Sequence, residues 1–475
     1  MRNIIFWSGV WPNFTYEKLP TMQRPMAAYA LAHWMRKNRF QCQVIDFLQH
    51  FTAKEIIEFT EPLITKDTVC IALTTVFWNA DSSYPPGAIM IAIQYFKKKF
   101  PNLPIVGGGP YSNNYKMLDR AFVGEGEDQF LKWCQEQSMG VALPNSVFDI
   151  TQNDHTFHED DCIMPDEAVP IELGRGCIFK CSFCTYPNLG KSKGSYIRKP
   201  EYLLNEMLRN RDVFGTTNYV FLDDTCNEDQ DKIAEIANIN KQLDYKIRWS
   251  GFVRADLIWS HENHNLMLES GVDQVYFGME SFHPEAARKV GKGWNAKHGK
   301  DYLPKLHNDL WKNQVGIEAS FISGLPGEDI PHLRSTVDWI KENNFIRGYF
   351  RGLVILPKSE FANNPEKFFL KKKAYWKNSD DQSGDAEVMG WEDTRDPKNN
   401  HELHEALSHE FNDILQPTWP MTGFYTSSLY SLGYTKEEIK QYGWKDWAML
   451  VMARKDPFIS TYKEKLKTII NRGWR

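Results

Sequence analysis

Gly174-Arg175-Gly176-Cys177-Ile178-Phe179-Lys180-Cys181-Ser182-Phe183-Cys184 sets three cysteines at C-x₃-C-x₂-C, directly after the apolar run Val169-Pro170-Ile171-Glu172-Leu173. Three thiolates on one short loop can hold three irons of a 4Fe–4S cube and leave the fourth iron open to a small molecule. A structural zinc site would want four closed ligands, usually as two C-x₂₋₄-C pairs. The nearest further cysteines, Cys162 and Cys226, stand singly on separate segments. Buried structural thiols are the other reading, but they have no reason to crowd three into eight residues beside Gly174 and Gly176.

Outward from this loop, 475 residues are enough for two or three domains. Hydrophobic content of 42% and charged content of 25% are those of an ordinary globular chain. A net charge of −5 gives no overall basic field for nucleic acid or an anionic membrane. No apolar run reaches the roughly 18 residues of a membrane span. The opening Ile4-Ile5-Phe6-Trp7-Ser8-Gly9-Val10 is short for a secretory core and reads as a first strand. Eight cysteines with three committed to one motif make no disulfide framework, and a reducing cytoplasm suits both free thiols and an oxygen-sensitive cluster.

Residues 1–140 alternate short strands with amphipathic helices, with helices expected over 24–37, 53–59 and 87–100. Five such units predict a Rossmann-like parallel sheet whose ligands lie beyond the strand carboxyl ends. Gly107-Gly108-Gly109-Pro110 and Gly124-Glu125-Gly126-Glu127 end two of the strands, and Gly107, Gly108 and Gly109 would let backbone approach a cofactor or simply turn the chain. Residues 141–166 are polar and acidic and read as a solvated linker. Residues 167–360 return to regular βα alternation, the pattern of a partial (β/α) barrel with its site at the strand carboxyl ends. Residues 361–475 form a C-terminal mixed or helical extension: a solvated Lys371-Lys372-Lys373, a polar loop over 378–400, then a helix whose His401, His404 and Glu405 make an exposed face. The pair His401/His404 misses the i, i+4 spacing of a zinc helix. Trp376, Trp391, Trp419, Trp444 and Trp447 could cap a substrate pocket over the barrel or be core.

The C-x₃-C-x₂-C loop with Phe183 resembles the cluster loop of the radical S-adenosylmethionine (SAM) superfamily, and further segments recur in order. Phe221-Leu222-Asp223-Asp224 resembles the signature near the SAM amino group, which implies roles for Asp223 and Asp224. Arg254, ending a strand, implies a contact to the SAM carboxylate or ribose, with an ion pair to Asp256 or Glu280 as the structural alternative. Gly278-Met279-Glu280-Ser281 resembles the G-x-E-S motif and implies Glu280 near the SAM hydroxyls or its amino acid end. The segment around Gly324 resembles the one whose backbone meets adenine. Cys226, two residues past Asp224, could quench a substrate radical or be a packed thiol.

A Rossmann-like domain ahead of the loop is similar to the B12-binding class of this superfamily. That resemblance implies a 4Fe–4S cluster, SAM and cobalamin as cofactors, an external electron donor of flavodoxin or ferredoxin type, and methyl transfer to an unactivated carbon. The first βα loop has no D-x-H-x-x-G, so it offers no histidine to cobalt. If cobalamin binds, residues 74–79 are expected to line its face. Radical rearrangement, cyclisation or oxidation without methyl transfer, or a non-catalytic metal-binding module, are the rival readings. A methylthiotransferase would need a second cysteine trio at strand ends, and Cys42, Cys70 and Cys134 are not placed there.

Overall fold

The computed structural model describes residues 1–10, 22–76, 87–109, 112–139, 147–186, 198–356, 358–375, 388–415, 425–442 and 447–474. The N-terminal sheet is five-stranded and all parallel, in the order β2-β1-β3-β4-β5. Its elements in chain order are β1 (Asn3–Trp7), α1 (Met26–Lys37), β2 (Gln41–Ile45), α2 (Ala53–Thr60), β3 (Thr68–Thr74), α3 (Gly87–Lys99), β4 (Ile105–Gly108), β5 (Arg120–Phe122) and α4 (Glu127–Met139). β1, β2 and β3 are buried along nearly their whole length because helices cover both faces. Thr52 and Glu55 close a capping box at the start of α2.

The second sheet runs β6 (Val169–Ile171), β7 (Asn218–Phe221), β8 (Arg248–Val253), β9 (Val272–Glu280), β10 (Gly316–Ser323) and β11 (Ile346–Gly352), six parallel strands in sequential order. Between them lie α5 (Pro200–Phe214), α6 (Gln230–Gln242), α7 (Ala255–Ser260), α8 (His264–Glu269), α9 (Pro284–Lys289), α10 (Lys300–Lys305) and α11 (Ile330–Glu342). Pro200 opens α5 where its missing N–H costs nothing, and Gly215 ends that helix at φ 74°, the left-handed conformation glycine tolerates. This is the expected α/β plan of a Rossmann-like sheet followed by an open partial barrel.

The connector between the sheets departs from expectation. Over 147–166, Phe157, His155 and Asp161 are buried, and Arg36 grips both Asp161 oxygens, at 2.6 and 3.0 Å. The segment is a strap packed on α1, because Asp161 faces Arg36 and Asp154 faces Lys37 and His33. Arg24 completes the strap: it donates to Glu167 at 2.6 and 2.8 Å, to the Tyr29 hydroxyl at 2.5 Å, and to the carbonyls of Asp161 and Cys162.

The extension comprises α12 (Glu360–Asn363), β12 (Leu370–Tyr375), β13 (Val388–Asp393), α13 (His401–Leu415), α14 (Tyr425–Ser431), α15 (Lys436–Tyr442) and α16 (Trp447–Arg472). Part of the expected polar loop is thus a strand, antiparallel to β12, with Trp391 buried. His401 and His404 are buried as well, against the expected exposed face, since Leu353 O meets His401 Nδ1 at 2.9 Å and Ser323 meets His404 Nδ1 at 2.7 Å. α14 and α15 close the amino end of the barrel rather than its mouth: Ser431 accepts from Ala168 N, Ser427 meets Ser250, and Tyr430 and Lys436 both hold Asp273. α16 returns to the N-terminal domain, where Tyr462 accepts from Asp46 N at 2.8 Å and Lys463 pairs with Glu55. Trp376, Trp419 and Trp444 lie outside the described residues.

Glu167→Ala would leave the buried Arg24 guanidinium without its carboxylate. The expected loss is about 3–5 kcal/mol of unfolding free energy, read from the shift in the urea midpoint.

Candidate functional site

The cysteine loop leaves the carboxyl end of β6 and lies at the mouth of the barrel, where the ends of β7, β8 and β9 meet it. Cys177 Sγ is 3.4 Å from Thr225 Oγ1, just beyond β7, and Arg254 Nη1 lies 3.9 Å from Cys181 Sγ, just beyond β8. Asn227 locks those two strand ends together, accepting from Arg254 N at 2.8 Å and donating to Arg254 O at 2.9 Å. Ser182 donates to Lys289 O, and Gly291 lies beside the loop, where a Cβ would make ordinary contact with Lys180 O and Cys181 Cα.

The three thiols are half-buried, and burial pushes Cys184 up to about 12 and Cys181 upward too. Metal ligation needs thiolates, so such a loop calls for a strongly cationic occupant. A tetrahedral zinc with bonds of about 2.3 Å would hold its sulfurs roughly 3.8 Å apart. Among the described residues the trio is not a set whose ligand atoms all lie within 4.8 Å. Cys162 and Cys226 are buried away from the loop and give it no fourth ligand.

The adjacent carboxylates divide. Asp223, expected near a cofactor, is instead fully buried; it accepts from Leu173 N at 3.0 Å and from Lys232, which also holds Glu228. It anchors β6 to β7. Asp224 is half-buried and its charge acts on Cys184, so it is the one on the site side. Cys226 is a packed thiol: it is buried, its N–H donates to Phe252 O, and its sulfur fills the space a Cβ at Gly251 would need. Of the two readings of Cys226, a radical-quenching thiol or a packed one, its burial supports the packed one.

Arg254 pairs with Asp256 at 2.7 and 3.0 Å and lies 4.0 Å over the Phe179 ring, so the ion-pair alternative holds while the guanidinium still faces the cluster loop. Glu280 sits at φ 63° on a register shift between β9 and β10. Burial pushes its carboxyl up against the pull of Lys292, 4.0 Å away, and of Arg254. Lys292 escaped the sequence reading; only its place in the tight Gly291-Lys292-Gly293 turn marks it. Gly324, at φ 93°, is required by packing, since a Cβ would come within 2.5 Å of the Trp391 ring and 2.8 Å of His404. Its bare side therefore faces the extension and not a cofactor.

The glycine turns of the first sheet divide similarly. A Cβ at Gly107 would run into Leu118, and one at Gly109 into Thr75, so these two serve close packing. Gly108, Gly124 and Gly126 border open space. Arg175 ties this edge to the cysteine loop, donating to Glu127 at the start of α4 at 2.5 Å and to Glu172 at 2.6 and 3.0 Å. The carboxyl ends of both sheets are thereby held close. Residues 77–79 of the expected corrin lining fall outside the described residues.

Two other polar clusters make no cofactor site. His283, Asp329 and His332 bring ligand atoms within 4.8 Å, but His283 Nδ1 accepts from Ala286 N and Asp329 accepts from His332 N. They cap α9 and α11, and a neutral His283 keeps its proton on the nitrogen nearest Asp329. Cys42, Cys70 and Cys134 do converge, but they are buried in the core of the first domain, which removes the methylthiotransferase arrangement.

Residues 171–340 match the model of the Radical SAM superfamily. The chain is 25% identical over 197 residues to bacteriochlorophyllide d C-12(1)-methyltransferase of Chlorobaculum tepidum, covering 41% of this chain and 42% of that one. It is 27% identical over 188 residues to cytidylyl-2-hydroxyethylphosphonate methyltransferase of Streptomyces wedmorensis, covering 38% and 34%. The chain thus spans less than half the length of these relatives. In fold it is similar to the radical SAM methyltransferase TsrM of Kitasatospora setae, solved with cobalamin and a 4Fe–4S cluster, with a TM-score of 0.65 at 15% identity over 98% of this chain and 100% of that one. The cobalamin-dependent enzyme OxsB, solved with aqua-cobalamin and SAM, gives a TM-score of 0.60 at 13% identity over 98% and 78%.

Glu328, which accepts from Ser281 and ties the ends of β9 and β10, has its carboxyl pushed by burial from 4.5 to about 8. A raised acid stabilises the fold fully below its unfolded value and loses that contribution as pH rises through the folded one. Stability should therefore fall between pH about 4.5 and about 8. Glu328→Gln should flatten that part of the profile in urea midpoints measured across the range.

Proposed function

We propose, from the match of residues 171–340 to the Radical SAM superfamily, that this protein is a cobalamin-dependent radical SAM methyltransferase. The observation that carries the proposal is the meeting of two strand-end edges: three thiols without a fourth cysteine at the barrel mouth, tied through Arg175 to the open glycine edge of the Rossmann-like sheet. Cys177, Cys181 and Cys184 would hold a 4Fe–4S cluster that cleaves SAM to a 5′-deoxyadenosyl radical, with cobalamin supplying the methyl group for the resulting carbon radical.

The chain's own groups arrange the reactants. Asp224 offers carboxylate acceptors to the SAM ammonium beside Cys184. Arg254, oriented by Asp256 and by Phe179, offers two N–H groups to a carboxylate or ribose. Glu280, restrained by Lys292, accepts from hydroxyls. The strap and the closed barrel floor leave the mouth as the approach for substrate, and excluding water there protects a reactive carbon. A one-electron donor of flavodoxin or ferredoxin type supplies the reducing equivalent.

Anaerobically reconstituted protein should carry about four irons and four sulfides per chain and bind cobalamin, and any one of the three cysteines changed to Ala should abolish the cluster. With SAM and a reductant it should release 5′-deoxyadenosine. Formation of S-adenosylhomocysteine alongside it marks methyl transfer, whereas 5′-deoxyadenosine alone marks rearrangement or oxidation, and iron-free protein would end the proposal. A second test separates the paired carboxylates. Asp224→Asn should raise the KM for SAM about tenfold or more with the melting temperature kept, while Asp223→Asn should lower the melting temperature by several degrees.

A further inference from the structure

Lys292 is a cation beside the cysteine loop to which the proposed reaction gives no part beyond restraining Glu280. It is buried, at 9% exposure, and a buried ammonium is costly unless an opposite charge is fixed near it. The backbone leaves it little freedom. Lys292 N donates to Ala287 O at 2.7 Å, Lys292 O accepts from Asn295 N at 2.9 Å, and the Asn295 side-chain amide donates to Met279 O at 2.7 Å. The turn is thereby stitched to the carboxyl end of β9. On its other side Gly291 lies beside Lys180 and Cys181, and Ser182 donates to Lys289 O. Lys292 thus rides on a turn clamped between β9 and the cysteine loop.

Its side chain is held as firmly. Nζ donates to Gly278 O at 3.0 Å, and a Cβ at Gly278 would run into Glu280 Oε1 and come within 3.6 Å of that same Nζ. Glycine there makes room for both charged heads. Glu280 Oε1 nevertheless stands 4.0 Å from Nζ, beyond hydrogen-bond reach, so the carboxylate offsets the ammonium only in part. Arg254 differs, because Asp256 meets its guanidinium in two hydrogen bonds. Of these two cations Lys292 is therefore the less neutralised, and among the charges acting on Cys181 its effect is the largest.

The reduction potential of an iron–sulfur cluster follows its net charge and its surroundings, and one-electron reduction adds a negative charge that a fixed cation stabilises. Resting on the cluster part of the proposed function, we propose that the Lys292 ammonium is the fixed counter-charge of the cluster held by Cys177, Cys181 and Cys184, and that it eases the one-electron reduction preceding cleavage of SAM. In that step a low-potential one-electron donor loses one electron and the cluster gains it, with no bond broken and no proton moved. Lys292 acts through its charge and touches no reacting atom, so it is a positioning residue, and Glu280 moderates its effect.

The test is the midpoint potential of the anaerobically reconstituted protein without SAM, followed by electron paramagnetic resonance in a mediated reductive titration. Lys292→Gln should keep the wild-type iron content and lower the ratio of reduced to oxidised cluster at a fixed potential about tenfold, a shift of about 59 mV for one electron. Lys292→Arg keeps the charge and should lie closer to wild type than to Lys292→Gln. A potential unchanged in Lys292→Gln, or shifted alike in both variants, overturns the inference. Should Lys292→Gln take up no iron, Lys292→Met is titrated in its place, and absence of iron from both makes Lys292 a requirement of assembly and overturns the tuning role. Iron-free wild-type protein would instead end the cluster reading itself, so the two failures are told apart.

Discussion

One buried guanidinium joins every part of this chain. Arg24 spends its donors on Glu167 at the entrance to the barrel, on Tyr29 of α1 and on two carbonyls of the strap. Its flat faces meet the rings of Phe47 and of Tyr462 from the C-terminal helix, at 4.7 and 5.4 Å. A fully desolvated cation is tolerable only when its donors are satisfied and a carboxylate is fixed beside it. That requirement makes the hub all-or-none: the two sheets, the strap and the tail take their places together or leave a charge exposed to an apolar core. The mutual setting of the two sheets follows from it, and Arg175 then closes the same angle on the functional side.

The site depends on a balance of charge of a different kind. Partial burial makes Cys181 and Cys184 resist ionising, while Lys292 and Arg254 draw Cys181 toward the thiolate. Two carboxylates, Asp224 and Glu280, are placed around the same space but lie on opposite strands. Under the proposed function, Asp224 and Arg254 would offer complementary partners there to a molecule carrying both a cation and an anion.

Much of this was legible because it is periodic or local. The βα alternation encodes both sheets, and the cysteine spacing marks the loop where the barrel opens. What escaped was whatever depends on direction or on distant partners. Asp223 and Asp224 are alike as letters, yet consecutive residues at a strand end point to opposite sides, so one became an anchor and the other lines the mouth. The strap looks solvated because it is acidic, and only Arg24 and Arg36, more than a hundred residues earlier, explain its burial. His401 and His404 resemble an exposed helix face until Ser323 and Leu353 O are brought to them by the fold. Gly324 carries the motif that suggests adenine, but its missing side chain answers to Trp391.

The return of α16 to the first domain has a bearing on biosynthesis. Phe47 and Phe51 are sheltered by Phe458 and Tyr462, residues made about 400 positions after them. At ribosomal rates of about 5–20 residues per second, the first domain waits on the order of tens of seconds with that apolar shoulder uncovered. During that interval the nascent chain is a natural client for a chaperone, and a message that terminates early would yield a sticky product even though the cluster loop and the barrel were already complete.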